Sequence, residues 1–315
     1  MAERVLLGDI GGTNARFALL DGQHIGQSLS VPVADFPSFE EAVAEFLNRT
    51  GARVSRAALG VAGVVESNHA SITNSPWVID AAELQRQRGI ERVRIVNDFE
   101  AIAWSVPRLT LADLYEIGAG KRVVAAPAVV LGPGTGLGLA CFVPRPAAVV
   151  IAGEGGHVTL PATSPREDAV IAHLRARFDH VSAERAISGP GLVNLYEAIG
   201  ARRNAAVQPR SGVEITNAAL DGSCTVCREA LDMFCAMLGT IAGNAALTFG
   251  ARGGVYIAGG IAPRITEFLA RSPFRESFES KGRFRPYLAA IATSVIIHPE
   301  PAFVGLSALA AQRLD

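Results

Sequence analysis

Two segments of the chain place a glycine-rich turn between two apolar runs, and this arrangement restricts the possible folds more than any other feature. In the first, residues 5–7 precede the turn Gly8-Asp9-Ile10-Gly11-Gly12-Thr13-Asn14, and residues 15–20 follow it. In the second, residues 128–131 precede Gly132-Pro133-Gly134-Thr135-Gly136-Leu137-Gly138, and residues 139–143 follow it. Short apolar runs that end in glycine are typical of buried strands. Each segment therefore predicts a β-hairpin, and the two together indicate a faint internal repeat.

The rest of the pattern alternates between strands and helices. Capping boxes at Ser38/Glu41 and Asp80/Glu83 predict two helix starts. Strands are predicted at residues 57–61, 93–96, 149–151 and 255–258, and further helices near 166–178, 191–199, 224–249 and 301–314. A chain of 315 residues, 49% of them hydrophobic, is long enough for two domains. We therefore expect a mixed α/β protein of two related lobes with a cleft between them.

Charge and composition exclude several classes of protein. With 29 Lys and Arg residues against 30 Asp and Glu, the chain has no net field to attract a polyanion, so nucleic acid is not expected as a partner. The uncharged residues 123–144 are long enough to span a membrane, but their prolines and glycines would cost roughly 10 kcal/mol in a helix. They predict strand, turn and strand instead. The N-terminal apolar run is too short for a signal peptide, so a cytoplasmic protein with no membrane association is expected.

The four cysteines, Cys141, Cys224, Cys227 and Cys235, are too sparse for a disulfide framework and fit a reducing compartment. Cys224 and Cys227 form a C-x-x-C pair, but no second Cys or His pair follows at zinc spacing, and no strand precedes it as in a thioredoxin-like motif. Cys227 and Cys235 fall on an apolar stripe at helical spacing. We interpret the cysteines as core residues and expect none to be catalytic or to bind a metal.

Glycine at the end of a strand lets backbone N–H groups approach an anion without obstruction by a Cβ atom, and arrays of such groups bind phosphate oxygens. Both hairpins are therefore candidate phosphate sites, although an ordinary tight turn fits the same residues. Gly259-Gly260 forms a third glycine turn, suited to an adenosine lying flat against the backbone. Asp9 is a candidate for holding Mg²⁺ through its waters. The chain has no Walker motif, and a strand-like run rather than a helix follows the first turn, which excludes a dinucleotide fingerprint.

Asn97 and Asp98 stand where a predicted buried strand ends and a helix begins. Their side chains would project into the cleft and bind an acceptor substrate. Asp98 also fits a helix cap, since Asp is a favoured N-cap residue, and the two roles are compatible at neighbouring positions.

Glu154 and His157 lie in a glycine-rich loop at residues 153–157 that offers little packing. No third metal ligand is near them in the sequence, so hydrogen bonding to a polyhydroxylated ligand is the favoured interpretation. Glu184 fits either the same role or a simple surface pair with Arg185.

Together these motifs closely resemble those of the bacterial ATP-dependent glucokinases, a family within the actin-like superfamily of sugar kinases. The resemblance spans nearly the whole chain. The motifs that carry it are GDIGGTNAR (8–16), TNSPW (73–77), NDFEA (97–101), GPGTGLG (132–138), GEGGH (153–157), HVSAERAISGPGLVNLY (180–196) and IAGGI (257–261).

The resemblance implies a two-lobed actin-like (ribonuclease H-like) sugar kinase fold, with residues 1–107 plus 299–315 in a small lobe and 108–298 in a large lobe. It implies ATP and Mg²⁺ as cofactors, glucose as the acceptor of the terminal phosphoryl group, and the homodimer that is usual in the family. Asp98 would be the general base, and the sugar would be bound by Asn97, Asp98, Glu154, His157 and Glu184. The nucleotide would be bound by Gly8, Asp9, Ile10, Gly11, Gly12, Thr13, Asn14, Gly132, Gly134, Thr135, Gly136, Gly259 and Gly260, with Asp9 also near Mg²⁺.

Three other functions share parts of this pattern. A kinase for another hexose or an N-acetylated amino sugar, or one that uses polyphosphate as donor, would keep the same hairpins. A sugar-responsive repressor would share the fold, but it needs a DNA-binding domain and the first strand begins at Val5. A nucleotide-switched filament or chaperone domain would lack the GEGGH loop and its second carboxylate.

Overall fold

The computed structural model describes residues 4–72, 75–204 and 207–312. The chain divides into two compact units, one built from the residues up to Thr110 together with those from His298 onward, and the other from Leu111–Ile297. The elements before the second unit are β1 (Arg4–Ile10), β2 (Asn14–Asp21), β3 (His24–Ile25), β4 (Leu29–Pro32), α1 (Phe39–Thr50), β5 (Arg56–Val61), β6 (Val65–Glu66), β7 (His69–Ser71), β8 (Val78–Asp80), α2 (Ala81–Arg88), β9 (Arg92–Asn97) and α3 (Asp98–Ser105).

The second unit and the return to the first account for the remaining elements. These are β10 (Leu114–Ile117), β11 (Ala128–Pro133), β12 (Leu137–Val143), β13 (Val149–Gly153), α4 (Pro165–Arg175), α5 (Gly189–Arg202), α6 (Gly212–Leu220), α7 (Thr225–Phe249), β14 (Gly254–Ile257), α8 (Thr266–Arg271), α9 (Phe274–Glu279), α10 (Arg285–Ala289), β15 (Thr293–Ile296) and α11 (Pro301–Ala311).

A mixed sheet forms the centre of the first unit, with strand order β3-β2-β1-β5-β9 and β4 paired to β2. β1, β5 and β9 run parallel. β1 and β5 are mostly apolar and buried, as expected of strands that are covered on both faces, whereas β9 also carries Arg92 and Arg94. α11 packs on α3 and on β5. The contact with α3 is so close that a Cβ atom at Gly305 would collide with the carbonyl oxygen of Ala101. The last described helix therefore completes the unit that contains the first strand.

The second unit is built on a sheet of order β10-β15-β14-β11-β12-β13, in which β14 runs parallel to β11 and β15. α7 packs against α5, α6 and α9 and contributes many of the buried side chains of this unit. By length and composition α7 would pass as a membrane-spanning helix. However, 78% of its most apolar window is buried within the protein, as expected of a core helix.

Both predicted hairpins are confirmed. β1 pairs antiparallel with β2 from Arg4↔Asp21 to Ile10↔Ala15, and β11 pairs with β12 from Ala128↔Phe142 to Pro133↔Leu137. The segment at residues 123–144 thus contains strand, turn and strand, as predicted. Each hairpin also has a parallel neighbour on its first strand, β5 for β1 and β14 for β11.

The predicted helix starts are confirmed as N-caps, although only half of each capping box is present. Ser38 Oγ accepts the backbone N–H of Glu41 at 3.3 Å, and Asp80 Oδ1 accepts that of Ala82 at 2.7 Å. The Glu83 side chain pairs with Arg86 instead of reaching back to its cap. A full capping box, with both bonds, occurs at Ser211 and begins α6, a helix that the sequence patterns did not predict.

Candidate active-site residues

Asp9 and Asp98 lie at the carboxyl edge of the sheet in the first unit. The register pairs Asp9 with Gly60 and Gly60 with Val96 on three parallel strands. Neighbouring strands are about 4.8 Å apart, which places the backbone of Asp9 about 10 Å from the end of β9. A Cβ atom at Gly60 would lie 3.0 Å from Ala101 Cβ and 3.8 Å from Asp98 Cα. The glycine therefore lets α3 begin directly over β5, the strand that lies between β1 and β9.

Asp9 is bonded to Arg16, the residue opposite it in the β1–β2 hairpin, through Arg16 Nη2 and Asp9 Oδ2. The Asp9 side chain is 14% exposed and that of Arg16 is 44% exposed. Burial raises the pKa of Asp9 above its ordinary value, Arg16 opposes this, and the nearby Glu300 adds to it. Burial thus disfavours the ionised form of the Asp9 carboxylate, and a bound cation would stabilise that form.

The residues described by the structure contain no group of three or more His, Cys, Asp and Glu side chains that could hold a metal ion. A single, partly desolvated carboxylate nevertheless fits Mg²⁺, which is usually bound by one or two carboxylates together with substrate phosphates and waters. Asp9 has the chemistry for that role.

Asn97, not Asp98, is the N-cap of α3. Asn97 Oδ1 accepts the backbone N–H groups of Phe99 at 2.9 Å and Glu100 at 3.3 Å, and Asn97 Nδ2 donates to the carbonyl oxygen of Gly63 at 3.1 Å. Asp98 is the first helical residue, and its Oδ1 accepts the Phe99 N–H at 2.9 Å. The interpretation of Asp98 as the helix cap is therefore wrong, because the preceding residue has the extended backbone that a cap requires.

The second and third glycine turns pack against each other in the second unit. A Cβ atom at Gly132 would lie 2.5 Å from the carbonyl oxygen of Ala258 and 2.8 Å from the N atom of Gly259. Gly259 has φ +80°, a left-handed conformation that favours glycine. Gly134 and Gly260 face open space, since a Cβ at Gly134 would meet nothing nearer than Gly260 N at 4.0 Å and one at Gly260 would meet nothing within 4 Å. The two turns thus form one glycine-lined surface.

Glu184 lies against the second glycine turn. Its Oε2 accepts the backbone N–H of Leu137 at 3.0 Å, and a Cβ atom at Gly136 would lie 2.5 Å from that oxygen. The surface pair between Glu184 and Arg185 is not formed. The Arg185 guanidinium stacks on the ring of Phe178 instead, 4.2 Å from its centroid. The structure therefore brings a predicted sugar ligand into contact with a predicted phosphate turn.

Glu154 and His157 lie on the loop that follows β13, with Glu154 Oε2 and His157 Nε2 3.9 Å apart. Their side chains are 63% and 60% exposed, so both are accessible to a ligand. Glycine is required within this loop, because a Cβ atom at Gly156 would collide with the carbonyl oxygen of Leu137. A cavity of about 430 Å³ opens beside the loop and is lined by His157, Arg177, Phe178, Asp179, His180, Ser182, Glu184 and Arg185.

Sequence reasoning missed Arg16 as a partner of Asp9 and the basic and aromatic lining of this cavity. The register of the β1–β2 hairpin could have indicated Arg16, since the turn fixes which residue of β2 lies opposite Asp9. The first two residues of the TNSPW motif, Thr73 and Asn74, lie outside the described residues. Trp77 of that motif is buried, and its Nε1 donates to the carbonyl oxygen of Phe36 at 3.1 Å.

Known proteins resemble this chain over nearly its whole length. A family model described as glucokinase matches residues 6–313. The chain is 46% identical over 315 residues to the glucokinase of Paramagnetospirillum magneticum, covering 98% of each chain. Among solved structures, a glucokinase from an Antarctic psychrotroph is 34% identical with a TM-score of 0.89, covering 98% of this chain and 99% of that one.

A more distant structure shares the fold alone. It is a ROK family glucokinase from Streptomyces griseus in complex with glucose and AMPPNP, with 20% identity, a TM-score of 0.67 and coverage of 97% of this chain and 98% of that one. These matches confirm the predicted fold class, an α/β fold of the actin-like sugar kinase type. Because the family match and the identity extend over nearly all of its length, the chain belongs to the glucokinase family.

Proposed function

We propose that this protein is an ATP-dependent glucokinase, which transfers the terminal phosphoryl group of ATP to the 6-hydroxyl of glucose and yields glucose 6-phosphate and ADP, the first step of glycolysis. The observation that carries the proposal is the division of roles between Asn97 and Asp98. Asn97 caps α3, so the carboxylate at the sheet edge is not required as the cap. Together with membership of the family, this supports Asp98 as the general base.

Phosphoryl transfer depends mainly on alignment and charge neutralisation. Asp98 would accept the proton of the sugar 6-hydroxyl as its oxygen attacks the terminal phosphorus, a contribution of about 10² to 10⁴-fold. The Asn97 amide already makes two capping bonds and one bond to the Gly63 carbonyl oxygen. It would bind the sugar with its remaining hydrogen-bonding capacity. The same side chain therefore fixes the start of α3 and borders the acceptor.

The backbone N–H groups of the first turn would bind phosphate oxygens, and Asp9 would hold Mg²⁺ through its waters. The turn itself is Gly11, Gly12 and Thr13, since Gly8, Asp9 and Ile10 belong to β1 and Asn14 belongs to β2. Bound Mg²⁺ supplies neutralisation of the charge that develops on the phosphate oxygens. The raised pKa of Asp9 supports this assignment, because a cation favours the ionised carboxylate.

The second unit would provide the remaining contacts. Gly132, Gly134, Thr135 and Gly136 would bind phosphate, and Gly259 and Gly260 would border the adenosine. The open faces of Gly134 and Gly260 support this, because a flat ligand can approach the backbone there. Glu154, His157 and Glu184 would accept or donate hydrogen bonds to sugar hydroxyls.

We further propose that the small lobe consists of residues 1–107 plus 299–315 and the large lobe of 108–298, and that the protein is a soluble cytoplasmic homodimer. An edge strand supports self-association, since β13 ends its sheet and exposes Val149 by 47% and Ile151 by 48%. Light scattering after gel filtration tests the dimer. Replacement of both side chains by lysine should shift the mass to that of a monomer if β13 forms the interface.

Turnover by the purified protein tests the proposed activity. Formation of glucose 6-phosphate is measured in a coupled assay with ATP and Mg²⁺, and galactose, N-acetylglucosamine and N-acetylmannosamine replace glucose in parallel reactions. We expect glucose to be the best acceptor, because a site built around hydroxyls leaves its own polar groups unpaired when a hydroxyl is inverted or replaced. Faster turnover of an amino sugar would contradict the assignment, and so would a requirement for polyphosphate.

A further inference from the structure

The C-x-x-C pair at the start of α7 lies in a setting that the proposed function does not use. Cys224 is the N-cap of α7, and its Sγ accepts the backbone N–H of Cys227 at 3.5 Å. Cys224 is partly exposed, whereas Cys227 is fully buried. α7 runs for 25 residues, so the positive end of a long helix dipole points towards the Cys224 sulfur. The interpretation of the pair as core packing therefore fits Cys227 better than Cys224.

The two thiols differ in acidity. Burial alone would raise the pKa of Cys224, but hydrogen bonds from the Cys227 backbone and thiol and from the Val226 N–H, with Arg210 nearby, offset it, so that the pKa lies below its ordinary value. Burial, reinforced by the hydrogen bond to the Cys224 sulfur, raises the pKa of Cys227 to about 11. A partly exposed sulfur is thus disposed to ionise, while its bonded neighbour keeps a proton.

The position of the two sulfurs also permits a bond between them. The Cys224 sulfur already lies against the backbone of Cys227, whose N–H group it accepts at 3.5 Å. Residues three positions apart at the start of a helix have Cα atoms about 5 Å apart, which is within the range of about 4.4–6.8 Å that disulfides span. A cavity of about 440 Å³ is lined by Arg210 and by Ser223, the residue that precedes Cys224. Cys224 itself is partly exposed, so a small oxidant can reach its sulfur.

We propose that Cys224 and Cys227 form a redox-active dithiol, which a hydroperoxide converts reversibly into an intramolecular disulfide. The Cys224 thiolate attacks a peroxide oxygen, the O–O bond breaks, and the leaving oxygen takes up a proton to give an alcohol or water. Cys224 is then a sulfenic acid. The Cys227 sulfur attacks Cys224, its proton departs with the hydroxyl as water, and the S–S bond forms. The two thiols lose two electrons, which the peroxide gains, and a dithiol reductant reverses the change by exchange.

The chain contains its own control thiols. Cys141 and Cys235 are fully buried, and burial raises their pKa to about 11 and to about 12 respectively. Neither caps a helix. Both should therefore react far more slowly than Cys224 with the same oxidant.

Peptide mass analysis tests the proposal. The native protein is exposed to hydrogen peroxide, quenched, unfolded in an alkylating agent and cleaved after arginine and lysine, which places Cys224 and Cys227 alone in the peptide 211–228. We expect this peptide to become lighter by two hydrogens and to lose both of its alkylatable thiols. The rate of this loss should be at least about tenfold higher than the rate at which the Cys141 and Cys235 thiols are lost. Dithiothreitol should restore both sites. Equal rates at all four cysteines, or disulfides formed only between chains, would overturn the proposal.

Single substitutions separate the two steps. Cys227→Ala should stop the reaction at a Cys224 sulfenic acid that dimedone traps, whereas Cys224→Ser should leave Cys227 reduced. Because Cys227 is buried, Cys227→Ser is prepared as well, and thermal unfolding of each variant identifies those that fold. A folded Cys227→Ala variant that forms no sulfenic acid under conditions that oxidise the wild type would refute the role of Cys224.

Discussion

Glu184 accepts a hydrogen bond from the backbone N–H of Leu137 at 3.0 Å, which links a candidate sugar ligand to the glycine turn that begins β12. Glu154 and His157 lie on an exposed loop of the same unit, with Glu154 Oε2 and His157 Nε2 3.9 Å apart. The three candidate sugar ligands are therefore not equivalent. Glu184 supports the turn through this bond and would also bind the sugar.

Substitutions at these three residues should separate the two roles. A hydrogen bond between a charged group and a hydroxyl contributes roughly 1.5–3 kcal/mol to the binding free energy. Glu154→Gln and His157→Ala should therefore lower the affinity for glucose about 10 to 150-fold and leave the affinity for a nonhydrolysable ATP analogue unchanged. Glu184→Ala should lower the affinity for both ligands, because the Leu137 N–H beside the glycine turn loses its acceptor. Calorimetric titration with each ligand measures this. Unchanged glucose affinity in all three variants would contradict the sugar assignment.

Asn97→Ala and Asp98→Asn form a matched pair. Asn97→Ala removes the acceptor of two backbone N–H groups at the start of α3, so the free energy of unfolding should fall by about 1–2 kcal/mol. Asp98→Asn keeps the shape of the side chain but removes the base, so kcat should fall at least about 100-fold with little loss of stability. Urea unfolding and steady-state kinetics check the two effects. Near-normal turnover of Asp98→Asn would show that Asp98 is not the base.

Asp9→Asn should raise stability while it impairs catalysis. The folded pKa of Asp9 is raised above 3.8, so the folded state binds its proton more tightly than the unfolded state does. The stabilising contribution of this group is complete below its ordinary pKa and is lost as pH rises through the folded pKa. In EDTA at about pH 8 the variant should therefore unfold at a higher temperature than the wild type, and the difference should shrink towards about pH 5.

The same variant should bind Mg·ATP more weakly, since the ionised carboxylate is the proposed partner of the cation. Thermal unfolding across this pH range and nucleotide titration with and without Mg²⁺ measure the two properties. A variant that is less stable at every pH by a constant amount would show that the Asp9–Arg16 pair serves the fold alone.

Three glycine substitutions test the nucleotide surface. Gly260→Ala places a methyl group in open space and should not lower the stability of the fold. If adenosine lies against this backbone, the substitution should lower the affinity for an ATP analogue by about tenfold or more. Gly153→Ala, also in open space, is the matched control and should leave nucleotide affinity unchanged. Gly259→Ala should destabilise the fold, because its φ is +80° and its Cβ would collide with the carbonyl oxygen of Pro133. Equal nucleotide affinity of wild type and Gly260→Ala would contradict the assignment.

Local patterns predicted the elements that carry their own signals. Apolar runs bounded by glycine gave the two hairpins, and Ser38 and Asp80 marked true helix starts, because caps and turns depend on a few adjacent residues. The choice between Asn97 and Asp98 as the cap was not decided by pattern, since both residue types cap well and only the backbone conformation separates them.

Contacts between distant residues could not be predicted in this way. Glu184 and Leu137 are 47 positions apart, and nothing local to HVSAE indicates that the carboxylate meets a backbone N–H. The segment at 200–212 matched no motif, yet several of its described residues are bonded to their neighbours. Arg203 pairs with Glu229, the Gln208 carbonyl oxygen accepts the Tyr196 hydroxyl at 3.1 Å, and Ser211 caps α6. Such bonds depend on packing of α5, α6 and α7, which periodicity alone does not specify.

The close packing of α11 on α3 has a consequence for biosynthesis. The ribosome completes α3 early, then produces the whole of Leu111–Ile297, and only afterwards produces Pro301–Ala311. The second unit can fold while it emerges, because its sheet comes from one continuous stretch of chain. The first unit has to wait for Gly305 to meet Ala101. A nascent chain interrupted before Pro301 would therefore leave the face of α3 uncovered, and proteases that survey unfinished proteins would recognise it.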